Sequence, residues 1–142
     1  MWIYTQDGFI SVVQNHTPEP GRELLVRSRM RSHLVELLGQ VMDREAVEEL
    51  VLETPANDYP FRAFVSREVL AELVLGQLKR IDYPNFKGRC VKTLGHEQEG
   101  VLMEVWEASR GFHGIPDSGA GPSGQIKPER EGMENTHQQQ FK

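Results

Sequence analysis

The sequence predicts an α+β fold, a two-layer sandwich in which helices cover one face of a mostly antiparallel sheet of about five strands. Two observations support this class. Several short segments alternate apolar and polar residues, as strands with one wet face do, and short turn-like links join them. Three other segments carry apolar residues at helical spacing, and helices that share one face of such a sheet make two layers. A ferredoxin-like arrangement is one version of this sandwich.

The first three strands are predicted near the N-terminus. Trp2–Thr5 and Phe9–Val13 are rich in strand-forming residues, and Asp7-Gly8 between them is a dipeptide that a tight primed turn prefers. Leu24–Met30 is the third strand, because its mainly apolar positions alternate with two arginines. The chain therefore begins with a hairpin and continues, after a proline-containing loop, into a third strand.

The middle of the chain predicts two further strands, Val47–Glu53 and Phe61–Val65, which pair through the connecting residues 54–60. Ser32 is a suitable N-cap for the first helix and Ser66 for the second. A third helix is predicted within residues 97–110, whereas residues 88–95 are predicted to be irregular, with a helical turn over 86–93 as the alternative. The apolar stripes of the first two helices are Leu34, Leu37, Leu38 and Val41, and Val69, Leu70, Leu73, Val74, Leu78 and Ile81.

The tripeptide Asp-Tyr-Pro occurs twice, at 58–60 and 82–84, and brackets the best-patterned strand–helix unit. A residue before proline is driven out of the helical region, and an Asp carboxylate can turn back onto nearby backbone N–H groups. Turn chemistry alone explains both corners, so we interpret them as structural. The alternative is a polar site in which side chains around both corners converge on one surface, namely Asp58, Arg62, Asp82, Asn85 and Lys87, with Tyr59 and Tyr83 at the bends.

Arginines provide a second candidate site. Arg27 and Arg29 alternate on one strand face, and Arg62 is placed to extend that face from another strand. Guanidinium groups form forked contacts with phosphate or carboxylate, so these residues are ligand-binding candidates. The alternative is a solvated sheet face on which the arginines pair with Asp and Glu. Aromatic residues nearby suit either single-stranded nucleic acid or plain cross-strand packing.

Composition limits the function classes. The chain has 142 residues, which predicts one domain, and its net charge of −5 disfavours a dedicated nucleic-acid coat or a basic membrane binder. A single cysteine, Cys90, excludes an internal disulfide and a cysteine-rich zinc site. The five histidines are scattered, no phosphate-binding loop or hydrolase motif occurs, and we predict no cofactor and no metal. We find neither a signal peptide nor an apolar run of ~20 residues, which predicts a cytoplasmic protein.

The composition changes sharply after residue 112. Residues 113–142 are dominated by Gly, Pro, Ser, Gln and charged residues, with isolated aliphatic ones. Such a segment buries too little apolar surface to offset its ordering entropy. We therefore predict a single α+β domain over residues 1–112 and a disordered C-terminal tail over 113–142.

Several motifs in combination resemble a family of small, uncharacterised bacterial and phage proteins. The motifs are Met1-Trp2-Ile3-Tyr4-Thr5, Gly8-Phe9-Ile10-Ser11-Val12-Val13, Leu25-Val26-Arg27, Asp58-Tyr59-Pro60-Phe61-Arg62 and Ile81-Asp82-Tyr83-Pro84-Asn85-Phe86-Lys87, together with Trp106. The resemblance covers roughly residues 1–110. It implies a bacterial or phage origin and a cytosolic setting, and it assigns no catalytic role to any position.

Two functions remain as hypotheses. The first is a non-enzymatic interaction or regulatory module that binds a partner protein through its sheet face, because the chain lacks catalytic motifs and carries Asp, Arg and Tyr on that surface. The second is binding or hydrolysis of a phosphate-containing ligand, either a nucleotide or a nucleic acid. There, Arg27, Arg29, Arg62 and Lys87 would hold phosphates, and Asp58 or Asp82 would serve as a base or metal ligand. The sequence predicts no membrane partner and carries no signal for an oligomeric state.

Overall fold

Strands and helices alternate in groups along the chain. The computed structural model describes residues 1–114. In chain order the elements are β1 (Trp2–Thr5), β2 (Gly8–Gln14), β3 (Leu24–Ser28), α1 (Arg31–Leu38), α2 (Arg44–Leu50), β4 (Leu52–Glu53), β5 (Phe61–Val65), α3 (Arg67–Lys79), α4 (Phe86–Leu94), α5 (His96–Ser109) and a short 3-10 helix (Arg110–Gly114). Met1–Ser109 form one compact unit. The predicted disordered tail, 113–142, lies outside the described residues except for its first two.

The five strands form one sheet in the order β1-β2-β3-β5-β4, and every neighbouring pair is antiparallel. The predicted α+β class with a five-stranded antiparallel sheet in a two-layer sandwich is therefore confirmed. The order of elements differs from the β-α-β-β-α-β order of a ferredoxin-like domain, so that version of the sandwich does not apply.

The core lies between one face of the sheet and helices α1, α2 and α3. Side chains of a strand alternate between faces, and on this face the three long strands carry mostly aliphatic residues. Most of the helical residues in the core come from α1, whose Leu34, Leu37 and Leu38 are almost fully buried. The sheet contributes Ile10, Val12, Leu24, Val26, Ala63 and Val65, and α2 and α3 contribute Val47, Leu70 and Leu73.

Residues 47–53 are helical for most of their length, so the prediction of a long fourth strand is wrong there. Asp43 caps α2 by accepting a hydrogen bond from the Ala46 N–H (3.0 Å), and this cap starts a helix that runs to Leu50. Only Leu52–Glu53 remain as a strand. That strand does pair with β5, and the Thr54 N–H donates to the Pro60 carbonyl (2.7 Å), so the predicted connection over 54–60 exists.

The helix starts agree only in part with the sequence. The predicted Ser66 cap is confirmed, because its hydroxyl accepts from the Val69 N–H (3.2 Å). Ser32 is not a cap: it lies inside α1, whose N-cap is Met30, two residues earlier, with no side-chain cap bond. The stripe of α3 is buried only in its first half, since Leu78 and Ile81 remain exposed. Residues 86–94 form a helix, α4, so the irregular segment predicted over 88–95 is wrong and the alternative of a helical turn over 86–93 agrees with the structure.

The β1–β2 turn differs from the predicted primed turn. Gln6 and Asp7 occupy its two loop positions without positive φ, while Gly8 pairs with Thr5 and has φ of +146°. The Thr5 hydroxyl closes the turn by accepting from the Asp7 N–H (3.1 Å). A Cβ on Gly8 would lie 2.6 Å from Cγ of His33, so the glycine serves a close approach between hairpin and helix.

Polar contacts join α4 to the hairpin and α5 to α1. Cys90 of α4 is buried next to the Thr5 carbonyl, and the Thr93 hydroxyl donates to the Gln6 carbonyl. Gln98 of α5 bonds to His33 of α1 (2.8 Å). Within residues 1–114, no helix combines the length and the apolar character needed to cross a membrane.

Candidate functional site

The sheet face opposite α1, α2 and α3 carries a row of side chains that crosses all five strands. The pairing register aligns Trp2 with Ser11, Ser11 with Arg27, Arg27 with Arg62, and Arg62 with Leu52. At a strand spacing of about 4.8 Å, the row spans about 19 Å. We call this surface the arginine face and define it by the row Trp2, Ser11, Arg27, Arg62 and Leu52. Its two ends are apolar and exposed, since Trp2 is 66% and Leu52 is 50% accessible.

The first Asp-Tyr-Pro corner is built into the arginine face. Tyr59 is only 5% accessible, and its ring contacts the guanidinium groups of Arg27 (4.8 Å) and Arg29 (5.1 Å). Arg29 donates to the Asp58 carbonyl (3.3 Å), and Arg62 donates to the Tyr59 carbonyl (3.2 Å). The corner therefore gathers three arginines around one tyrosine. The sequence predicted that Arg62 extends the face of Arg27 and Arg29, but their meeting at Tyr59 was not foreseen because it depends on the β3–β5 register.

The Asp58 carboxylate makes the local turn that the sequence predicted. Its Oδ1 accepts a hydrogen bond from the Tyr59 N–H (2.9 Å). No carboxylate among the described residues forms an ion pair with Arg27, Arg29 or Arg62, whereas Arg31 pairs with Glu48 and Arg80 with Asp7. The expectation that the face arginines pair with acidic side chains therefore does not hold for these three.

Arg27 is the central residue of the group. Its Nη2 donates to the Ser11 hydroxyl (2.9 Å), while its Nε is buried and has no partner among the described residues. Arg62 lies directly opposite it on β5. Like charges opposite each other on adjacent strands are destabilising, and a buried donor without a partner adds a further cost. The arrangement leaves concentrated positive charge that an anionic partner would neutralise.

The second corner belongs to α4 and α5. Asp82 forms an ion pair with Arg89, whose guanidinium also lies over the Tyr83 ring (5.4 Å). Asn85 caps α4 by accepting from the Gly88 N–H (3.3 Å), and the Lys87 ammonium lies over the Trp106 ring (4.4 Å).

The structure thus divides the predicted site residues into two sets. Around the first corner, Arg27, Arg29, Asp58, Tyr59 and Arg62 contact one another. Asp82, Tyr83, Asn85 and Lys87 instead contact residues of α4 and α5. Within residues 1–114, no hydrogen bond, ion pair or ring contact joins the two sets, and the carboxylates of both corners already have nearby partners.

A cavity of about 430 Å³ lies between the hairpin end of the sheet and α5, and we call it the α5 cavity. Stacked Tyr4 and Phe9 rings (4.4 Å between centroids) form part of one wall, next to Trp2. Burial and the neighbouring Tyr59 raise the pKa of Tyr4 against the opposing effect of Arg29, so its hydroxyl stays protonated at neutral pH. The opposite wall is α5, with Val101, Leu102, Glu104 and Val105.

His33 closes the inner end of the α5 cavity, and sequence reasoning missed it. Its Nδ1 accepts from the Phe9 N–H (3.3 Å), so the proton of the neutral ring is on Nε2, which donates to Oε1 of Gln98 (2.8 Å). Gly8 was the feature of the sequence that could have indicated this contact, since a residue without a Cβ permits the His33 ring to approach the hairpin.

No group of three or more His, Cys, Asp or Glu side chains within residues 1–114 has the geometry to hold a metal ion. Comparisons with protein-family models, with curated proteins and with solved structures find no match to this chain. The resemblance to small bacterial and phage proteins therefore stays a prediction.

Proposed function

We propose that the protein is a non-enzymatic interaction module whose arginine face binds an acidic segment of a partner protein. One observation carries the proposal. Arg27, Arg29 and Arg62 gather around Tyr59 without an ion-pair partner among the described residues. Guanidinium groups bind carboxylates in a forked geometry, and charged groups that are partly withdrawn from water favour a charged partner.

The apolar ends of the row support a protein partner. Trp2 and Leu52 are exposed on either side of the arginines, and the guanidinium groups of Arg27 and Arg29 lie over the buried Tyr59 ring. Protein interfaces place aromatic residues and arginines at their centres, and Trp, Tyr and Arg supply most of the binding energy. An acidic segment with apolar side chains on either side would complement both the charge and the apolar ends.

A phosphate-containing ligand is the second candidate, because the same guanidinium groups also suit phosphate. The geometry favours binding over hydrolysis. Asp58 accepts the Tyr59 N–H, Asp82 pairs with Arg89, and within residues 1–114 neither carboxylate belongs to a group of three or more His, Cys, Asp or Glu side chains that could hold a metal ion.

The test is affinity purification from the host with the full chain and two charge-matched double variants. Arg27→Gln with Arg62→Gln removes two charges from the arginine face. Arg67→Gln with Lys79→Gln removes two charges from exposed positions of α3 and serves as the control. Circular dichroism and urea unfolding establish that each variant is folded.

We expect a stoichiometric partner that is retained by the wild type and the control and is lost with the arginine-face variant, with or without nuclease treatment. A partner that disappears after nuclease treatment would favour the phosphate candidate instead. If all three proteins capture the same set, the arginine face is not the binding surface.

A further inference from the structure

We propose that the α5 cavity is a binding site for a small amphiphilic carboxylate, an organic acid with an aliphatic or aromatic body. This site adjoins the partner surface of the proposed function, because Trp2, Arg29 and Tyr59 border both, whereas Arg27 and Arg62 do not line the cavity. The cavity of about 430 Å³ falls within the range of small-molecule sites, about 300–1,000 Å³, which are mostly apolar with a few placed polar groups.

The walls explain the apolar body of the ligand. The sheet side presents the Tyr4 and Phe9 rings, and the helix side presents Leu102 and Val105. Helix α5 has no buried residue at all, although it carries these apolar side chains towards the cavity. An apolar group between the two walls would remove both surfaces from water, which is the main source of binding free energy in such sites.

The polar groups explain the carboxylate. At the inner end of the cavity, Nε2 of His33 forms a hydrogen bond with the side-chain oxygen of Gln98, and Nδ1 of His33 accepts a hydrogen bond from the Phe9 N–H. This pair of side chains therefore offers no charge to a ligand. Arg29 is the one lining residue that carries a positive charge, and it forms no ion pair among the described residues. A carboxylate at the mouth of the cavity would supply that partner.

Glu104 also lines the cavity, on the α5 side. It forms no ion pair with Arg29, and its negative charge would weaken the binding of an anion. The two charges therefore give opposite predictions for their variants: removing Arg29 should weaken carboxylate binding, and neutralising Glu104 should strengthen it. A neutral ligand of the same length should respond to neither.

The experiment uses decanoate and 1-decanol as competitors of 1-anilinonaphthalene-8-sulfonate, whose fluorescence reports saturable binding to the full chain. Arg29→Met keeps an apolar stem and removes the charge. We expect it to weaken decanoate binding about tenfold or more, as the loss of a charged hydrogen bond does, and to leave 1-decanol unchanged. Glu104→Gln should strengthen decanoate binding by a few fold.

Two further variants fix the location. Leu102→Trp fills the cavity from an element with no buried residue, and it should abolish binding of both ligands while the fold is retained. Arg62→Met, on the arginine face but outside the cavity lining, should change neither. The proposal is overturned if decanoate shows no saturable binding, or if its affinity depends on Arg62 instead of Arg29. Failure of the partner proposal, by contrast, would show only in the purification from the host.

Discussion

Asp7 is the residue whose replacement should reveal most about how the hairpin is attached to the helices. It lies in the β1–β2 turn with its side chain only 14% accessible. Its carboxylate accepts hydrogen bonds from Gln77 (2.9 Å), Gln40 (3.0 Å) and Arg80 (2.7 Å), so one group joins the turn to the ends of α1 and α3. Asp7→Asn keeps the shape and removes the charge.

The magnitude follows from those three bonds. Hydrogen bonds to charged groups contribute about 1.5–3 kcal/mol, against about 1 kcal/mol for neutral ones. Arg80 is 47% exposed, so solvent screening limits its pair with Asp7 to less than about 1 kcal/mol. We therefore expect Asp7→Asn to lower the free energy of unfolding by about 2 kcal/mol, or the melting temperature by about 10 °C.

The pH dependence supplies an independent check. Burial alone raises the pKa of Asp7, but the hydrogen bonds from Gln77 and Gln40 and the charge of Arg80 outweigh it, so the pKa falls below its ordinary value of 3.8. The charged form is thus favoured in the folded state. Its contribution is complete above pH 3.8 and is lost as the pH falls through the lower folded-state pKa.

Urea unfolding measures this contribution without adding salt. The difference between wild type and Asp7→Asn should be the same at pH 7 and pH 5 and should shrink below pH 3.8. Glu49→Gln, at an exposed position of α2, is the matched control and should change stability by less than about 0.5 kcal/mol. A loss at Asp7 no larger than that of the control would refute the reasoning.

Three other predictions concern packing and capping. Gly8→Ala should cost more than about 2 kcal/mol of unfolding free energy in urea titrations, because its Cβ would collide with His33 at a φ of +146°. Asn85→Ala should lower helix content by circular dichroism and cost about 1 kcal/mol, whereas Asn85→Asp should keep the cap. Burial, and to a lesser degree the charge of Asp7, raise the pKa of the Cys90 thiol. The thiol reagent 5,5′-dithiobis(2-nitrobenzoate) should therefore react with Cys90 slowly in the native protein and rapidly in urea. Equal rates in the two conditions would contradict the buried position.

Local patterns in the sequence were sufficient where one element determines its own structure. The alternation in Phe61–Val65 and the cap at Ser66 depend on neighbouring residues only, and both are present in the structure. Such patterns gave the wrong element where the same residues suit both a strand and a helix. Val47, Leu50 and Val51 suit a strand by propensity, but Asp43 caps a helix upstream of them, and the spacing 47, 50, 51 is also helical.

The geometry of the site was less accessible because it depends on contacts between distant parts of the chain. Tyr59 and Arg62 could be singled out as candidates, but their meeting with Arg27 requires the β3–β5 register. His33 reaches the hairpin only because Gly8 leaves room for its ring, and Gln98 meets His33 from 65 residues away in sequence. No periodic pattern encodes such contacts.

The distribution of ion pairs supports an anionic partner for the arginine face. The chain contains 21 acidic and 16 basic residues, so carboxylates are in excess. Elsewhere in the described residues, arginines of the helices form ion pairs with these carboxylates, as Arg31 does with Glu48 and Arg44 with Glu36. None reaches Arg27 or Arg62, which face each other across adjacent strands at a cost to stability. Natural sequences break such local rules mainly at functional sites. Selection for stability alone would favour an uncharged residue in place of one of these two arginines. An external carboxylate would neutralise this pair, and that is why the arginine face is the part of the surface where we expect binding.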